Sequence, residues 1–112
     1  MANAQDTKWP ASRDEVFTAI SSERQYQMFK WGYRQPDGTF KEPEHGVCDY
    51  LTYMRHYLAL ADQAAATVPG SEAALEQLRK VVTLGVACLE QHGAKQRVFS
   101  NVINQRDGKP CP

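Results

Sequence analysis

The residues in this chain with the most chemistry in them lie where apolar side chains belong. Advancing about 100° per residue along the segment that opens at Arg13 puts Val16, Phe17, Ile20, Met28 and Trp31 on one helical face. The same arc holds Arg24 and Gln27, with Glu23 at its edge. A guanidinium or amide removed from water is costly unless its donors and acceptors find partners, so these groups must meet internal acids or a polar ligand. A second helical face is made by Val47, Tyr50, Leu51, Met54, Tyr57, Leu58, Ala61 and Ala65, and Arg55 and Asp62 stand two turns apart along its edge. On a third, Arg79 borders the stripe of Leu75, Val82 and Val86. Arginines from three helices at the rim of one core would form a basic recess for phosphate or carboxylate, which a planar guanidinium binds through paired N–H donors. The competing arrangement is internal, with Arg24 or Arg55 pairing with Asp62, Glu23 or Glu76 to lock the bundle.

Other reactive types carry less. Trp31, at the end of an amphipathic helix, reads as a core anchor ahead of a base-stacking platform. His56 points away from the main stripe and reads as a solvated histidine, while His45 and His92 fall at helix ends. Glu42, Glu44 and Asp49 are interrupted by Pro43 and read as a solvated loop rather than a metal site. The three cysteines, Cys48, Cys88 and Cys111, lack the paired spacing of zinc or redox motifs and read as free thiols, the first two in packing roles and Cys111 exposed on the tail. A glycine-flanked serine, an activated cysteine motif and a phosphate-cradling glycine loop are all missing, so nucleophilic catalysis has little support.

The elements that must position these residues are mostly helical. Ser12 and Glu15 have the spacing of a capping box, predicting a first helix from about Arg13 to Lys30 that Gly32 breaks. Pro36-Asp37-Gly38 reads as a tight turn between extended pieces at Tyr33 to Gln35 and Thr39 to Lys41. A second helix opens at His45 or Gly46, with Asp49 in its first turn, and lasts to about Thr67. Pro69-Gly70 ends it, Ser71 caps a third helix, and Gly93 supplies a left-handed stop. Val81, Leu84 and Cys88 widen the apolar surface of that third helix to nearly all round, which a dimeric bundle satisfies better than three helices alone. Val98, Phe99, Val102 and Ile103 offer one more short piece. The expected organisation is a flexible N-terminus over residues 1–11, one all-α domain over 12–105, and a disordered tail over 106–112.

Composition narrows the partners. At 112 residues with a formal net charge of +0, the chain suits one core and has no whole-molecule field drawing it to nucleic acid or anionic lipid. No helix carries a basic stripe, which argues against DNA binding. No run approaches the roughly 20 apolar residues of a membrane span, and the polar stretch from Met1 to Pro10 does not read as a signal peptide, so a cytoplasmic location is expected.

Glu23-Arg24 with Gln27 and Trp31-Gly32, His45 with Asp49-Tyr50-Leu51, and Val81 to Gly93 ending Ala-Cys-Leu-Glu-Gln-His-Gly together carry a likeness. Over about Ser21 to Gly93 the chain resembles small phage and prophage proteins of the MazG-like type, related in pattern to all-α nucleotide pyrophosphohydrolases. The resemblance implies helices that dimerise into bundles around a nucleotide pocket. It also implies clustered acids on the second and third helices that hold Mg²⁺ against the phosphates. Here those positions carry Arg55-His56 and Ala59 on the second helix, while on the third Glu76 survives and Arg79 replaces the next acid. Guanidinium groups repel Mg²⁺ yet bind phosphate directly, so phosphate capture survives this exchange and hydrolysis does not.

The leading expectation is therefore a non-catalytic protein that captures an anionic small molecule, a nucleotide or cyclic nucleotide. Its expected ligand-binding set is Arg24, Gln27, Trp31, Arg55, His56 and Arg79, with Arg55 and Arg79 as phosphate clamps, Gln27 on a base edge, and no cofactor. Two further hypotheses belong to other classes. One is a Mg²⁺-dependent pyrophosphohydrolase using Asp49, Asp62, Glu76 or Glu23 in a rearranged cluster. The other is an interaction module that inhibits a host protein, with structural arginines.

Overall fold

The structure, a computed structural model, describes residues 9–98. Helix α1 spans Arg13–Trp31, strands β1 and β2 span Tyr33–Arg34 and Phe40–Lys41, and helices α2 and α3 span Val47–Thr67 and Glu72–His92. The fold is thus mostly helical with one small hairpin. The capping box forms: Ser12 Oγ accepts from the Glu15 N–H at 3.1 Å and Glu15 Oε1 accepts from the Ser12 N–H at 2.8 Å. At the other end the Gly32 N–H donates to the Met28 carbonyl at 2.9 Å. A side chain at position 32 would run into the Phe40 ring and that same carbonyl, so glycine lets the hairpin fold back against the end of α1. Phe29 and Phe40 meet there at 6.0 Å between ring centroids.

The hairpin is antiparallel, with Tyr33 opposite Lys41 and Arg34 opposite Phe40. Asp37 Oδ1 accepts from both the hydroxyl and the N–H of Thr39, which holds its carboxyl below the ordinary aspartate range, and Gly38 takes the left-handed φ of +91°. Gly46 caps α2, whose first turn contains Asp49, and Gly93 ends α3 with a φ of +113°. Ser71 occupies the N-cap of α3, but its side chain makes no capping hydrogen bond; only its carbonyl enters the helix, accepting from Leu75 at 2.9 Å.

The short α2–α3 connection makes these helices antiparallel neighbours, and the start of α2 lies beside the end of α3, where His92 reaches the His45 carbonyl. Tyr50, Leu84 and Ala87 form the buried core, with Met54, Tyr57 and Cys88 packed against it. Gly85 sits where an added Cβ would lie 3.4 Å from the Met54 side chain, a mark of how close the two helices approach.

Helix α1 joins this pair chiefly through α3 and turns inward the polar part of the expected face. Its buried residues are Glu23, Arg24 and Gln27, whereas Val16, Phe17, Met28 and Trp31 are exposed. Trp31 is not a core anchor; at 40% exposure it stands at the edge of the bundle. Cys48, expected to pack, is exposed, because it falls on the outward side of the first turn of α2, while Cys88 does pack. Residues 94–98 form no regular element. The expectations for Phe99, Val102, Ile103, Cys111, the tail and residues 1–8 lie outside the described residues.

Candidate functional site

Two arginines fasten α1 to α3. Arg24 donates to both Glu42 carboxylate oxygens at 2.7 Å, and to Glu90 at 2.8 Å from one terminal nitrogen and 3.2 Å from Nε. One guanidinium therefore ties α1 to α3 and to the segment after β2, and its pKa is raised, chiefly by the Glu42 hydrogen bond. Arg79 donates through Nε to Glu23 at 2.9 Å and through both terminal nitrogens to Glu76 at 3.0 and 2.6 Å. Its pKa is raised, first by Glu76 and then by Glu23, and in return the Glu76 carboxyl is held below the ordinary glutamate range by Arg79. Both guanidinium groups are occupied by acids.

Above the Arg79 network lies a recess of about 280 Å³ that touches all three helices, with Gln27, Lys30 and Trp31 from α1, Tyr57 from α2, and Arg79 and Lys80 from α3. Lys80 Nζ stands 5.6 Å from the centre of the Tyr57 ring, and Lys30 Nζ stands 5.8 Å from that of Tyr26. Among the described residues neither ammonium enters an ion pair. Gln27 is 2% exposed, and its Oε1 is buried with no hydrogen-bond partner among the described residues. Such an orphan costs about 1–3 kcal/mol, a penalty that a ligand donor would remove.

Trp31 and Tyr57 also wall a second recess, of about 450 Å³, completed by Pro43, His45, Tyr53 and Leu84. The His45 backbone is strapped to the end of α3. Its N–H donates to Gln91 Oε1 at 3.1 Å, and its carbonyl accepts from His92 Nε2 at 2.7 Å, which puts the His92 proton on that nitrogen. Gln91 Nε2 in turn donates to the Pro43 carbonyl at 3.2 Å.

Of the residues the sequence singles out, the structure brings Gln27, Trp31 and Arg79 together at one recess and leaves the others elsewhere. Arg24 is enclosed by Glu42 and Glu90. Arg55 and His56 are exposed on α2 and line none of the recesses; Arg55 makes a long 3.4 Å contact with the Thr52 hydroxyl, and His56 packs edge-on against Tyr57. The expected pair of clamps, Arg55 and Arg79, is therefore corrected. Arg55 faces away, and Arg79 spends its donors on Glu23 and Glu76. The expected internal partners are also redistributed: Glu23 and Glu76 are used, but by Arg79, and Asp62 takes no part. Lys30 and Lys80 were missed. Lys30 lies one turn beyond Gln27 and Lys80 next to Arg79, a spacing signal that points at the recess only once the inward face of α1 is known.

Mg²⁺, which the resemblance implies, does not fit the acids present. Glu23 and Glu76 converge, but on the guanidinium of Arg79, and no three His, Cys, Asp or Glu side chains are grouped as metal ligands among the described residues. No helix among the described residues is long and apolar enough to cross a membrane. Comparison with protein families, with curated proteins and with solved structures returns no match to this chain.

Proposed function

We propose that this protein captures a phosphorylated, nucleotide-like small molecule in the recess between α1 and α3 and releases it unchanged. The observation that carries this reading is the pair of unneutralised ammonium groups, Lys30 and Lys80, beside a buried amide that lacks a partner. Glu23, which also lines the recess, and Glu76 share the one guanidinium of Arg79, and Lys30 and Lys80 add two positive charges, so the recess presents net positive charge to an incoming phosphate. The unpaired oxygen of Gln27 is sealed beneath the recess, and a side-chain movement that opens it lets it accept an N–H or O–H of the ligand, while Trp31 offers an exposed ring at the same recess. Two carboxylates locked onto a guanidinium neither hold a hard cation nor activate water, which supports capture over hydrolysis.

The MazG-like resemblance agrees with this reading and adds its setting. In the cytoplasm of a bacterial host, a phage-encoded capture protein would sequester a nucleotide signal used in defence. The same reading includes self-association. Leu75, Leu78, Val82 and Leu89 follow helical spacing on α3 and remain exposed, as do Val16 and Phe17 on α1, so a second copy would cover apolar surface that a single chain leaves in water.

Titration calorimetry with mono-, tri- and cyclic dinucleotides, with and without EDTA, tests the proposal. Binding that EDTA does not affect, without release of pyrophosphate, is the expected result. Lys80→Met and Lys30→Met should each weaken binding about tenfold, the scale of one charge-assisted hydrogen bond, while Arg55→Ala should leave it unchanged. Failure of every anion to bind overturns the reading. Sedimentation equilibrium tests the dimer separately.

A further inference from the structure

We propose that the β1–β2 hairpin and the outer side of the end of α1 form a docking surface for an acidic protein segment that carries apolar side chains. The surface is separate from the capture recess: Phe29 lies about 200° around α1 from the buried Gln27, so it faces away from the inward side of that helix. Phe29 is 70% exposed and Phe40 41% exposed, and their rings meet each other while much of both stays in water. All four strand residues are exposed, and a two-stranded hairpin is at best marginally stable by itself, so a partner that covers it adds stability. Cross-strand neighbours share a face, which puts Tyr33 beside Lys41 on one side and Arg34 beside Phe40 on the other. Each face of the hairpin thus offers one ring and one cation.

Charge selects the partner. Among the described residues neither Arg34 nor Lys41 enters an ion pair. Arg34 donates one N–H to the Gly38 carbonyl at 2.9 Å, which steers the side chain along the turn and leaves the other donors of its fork for a carboxylate. The hairpin's own acid, Asp37, accepts from Thr39 instead. The chain as a whole has a formal net charge of +0, so this positive excess is local. The turn is also held in place before any partner arrives: the Gly38 N–H donates to the Gln35 carbonyl at 2.9 Å and the Gln35 N–H to the Thr39 carbonyl at 2.7 Å, so docking costs it little freedom. Rings beside cations also suit single-stranded nucleic acid. Two cations do not track a phosphate backbone, however, and Phe29 and Phe40 are tilted by 53° rather than laid out as a flat stacking platform. Carboxylates with apolar anchors between them satisfy both cations and cover the rings.

The test measures, by fluorescence anisotropy, binding of a random copolymer of glutamate and tyrosine, of polyglutamate and of oligothymidylate. The copolymer should bind, and polyglutamate, which keeps the carboxylates but lacks the rings, should bind about tenfold more weakly. Phe29→Ser and Arg34→Glu should each lower affinity for the copolymer about tenfold, and Phe29→Tyr should retain it. Arg55→Glu, the same charge reversal at an exposed position of α2, should leave it unchanged. Circular dichroism of the variants shows whether the fold is kept. Failure of the copolymer to bind, equal binding of polyglutamate, preferred binding of oligothymidylate, or a Phe29→Ser effect that falls on self-association instead overturns this proposal. None of these outcomes bears on the capture reading, which uses other groups.

Discussion

The two seams of this bundle are built on opposite principles. Between α2 and α3 the contact is apolar: Tyr50, Leu84 and Ala87 are buried, Met54 and Cys88 fill around them, and Gly85 allows the helices to close. Between α1 and α3 it is polar, with Glu23, Arg24 and Gln27 turned inward and met by Arg79 and Glu90. Apolar contact is non-directional and suits a scaffold, whereas a charged seam demands fixed partners and leaves any unpaired group conspicuous. The unpaired Gln27 oxygen and the Lys30 and Lys80 ammoniums lie along the polar seam, and a second buried amide oxygen without a partner, that of Gln77, lies elsewhere on α3. The difference teaches that α2 and α3 are joined by apolar packing, while α1 is held by charged partners beside the recess proposed for capture.

The sharpest way to break that contrast is to cut each seam in turn. Leu84→Ala, at a position 2% exposed, should cost about 3 kcal/mol in chemical denaturation, because it opens a cavity in the only apolar core cluster among the described residues. Arg24→Ala should cost about 2 kcal/mol, less than a fully enclosed pair, since Glu90 still reaches solvent while Glu42 is left partly buried without its cation. Hydrogen exchange should place the Arg24→Ala loss in α1 and the Leu84→Ala loss in all three helices; the same pattern for both variants would dissolve the division of labour.

Gln27→Leu sharpens the contrast from the other side. Replacing an orphaned amide by an apolar group of similar volume should raise stability by about 1 kcal/mol and at the same time weaken ligand binding. A loss of stability would mean that the amide is satisfied in solution.

The smallest effect concerns pH. Glu76 has a lowered pKa, so its contribution is present above the unfolded value of about 4.3 and is lost as the pH falls through the lower folded value. NMR titration should find Glu76 still ionised where an ordinary glutamate is protonated, and Arg79→Met should return its midpoint toward the ordinary range.

Read by itself, the chain determined its elements. Ser12 with Glu15, Gly32, the Asp37-Gly38 turn, Pro69-Gly70 and Gly93 act through neighbours a few residues away, and each falls at or beside an element boundary or in the hairpin turn. On α3 the stripe marked by Leu75 and Val82 stays exposed, and the widened side with Leu84 and Cys88, together with Ala87, packs instead. Tertiary structure alone decided that the polar rather than the apolar members of the marked face of α1 are buried, which acid meets each arginine, and that Lys30 and Lys80 face one recess across three helices. The reason is range. Caps and turns are settled by local hydrogen bonds, whereas Arg24 reaches an acid 66 positions away and Arg79 one 56 positions away, pairings that spacing along a single helix does not encode.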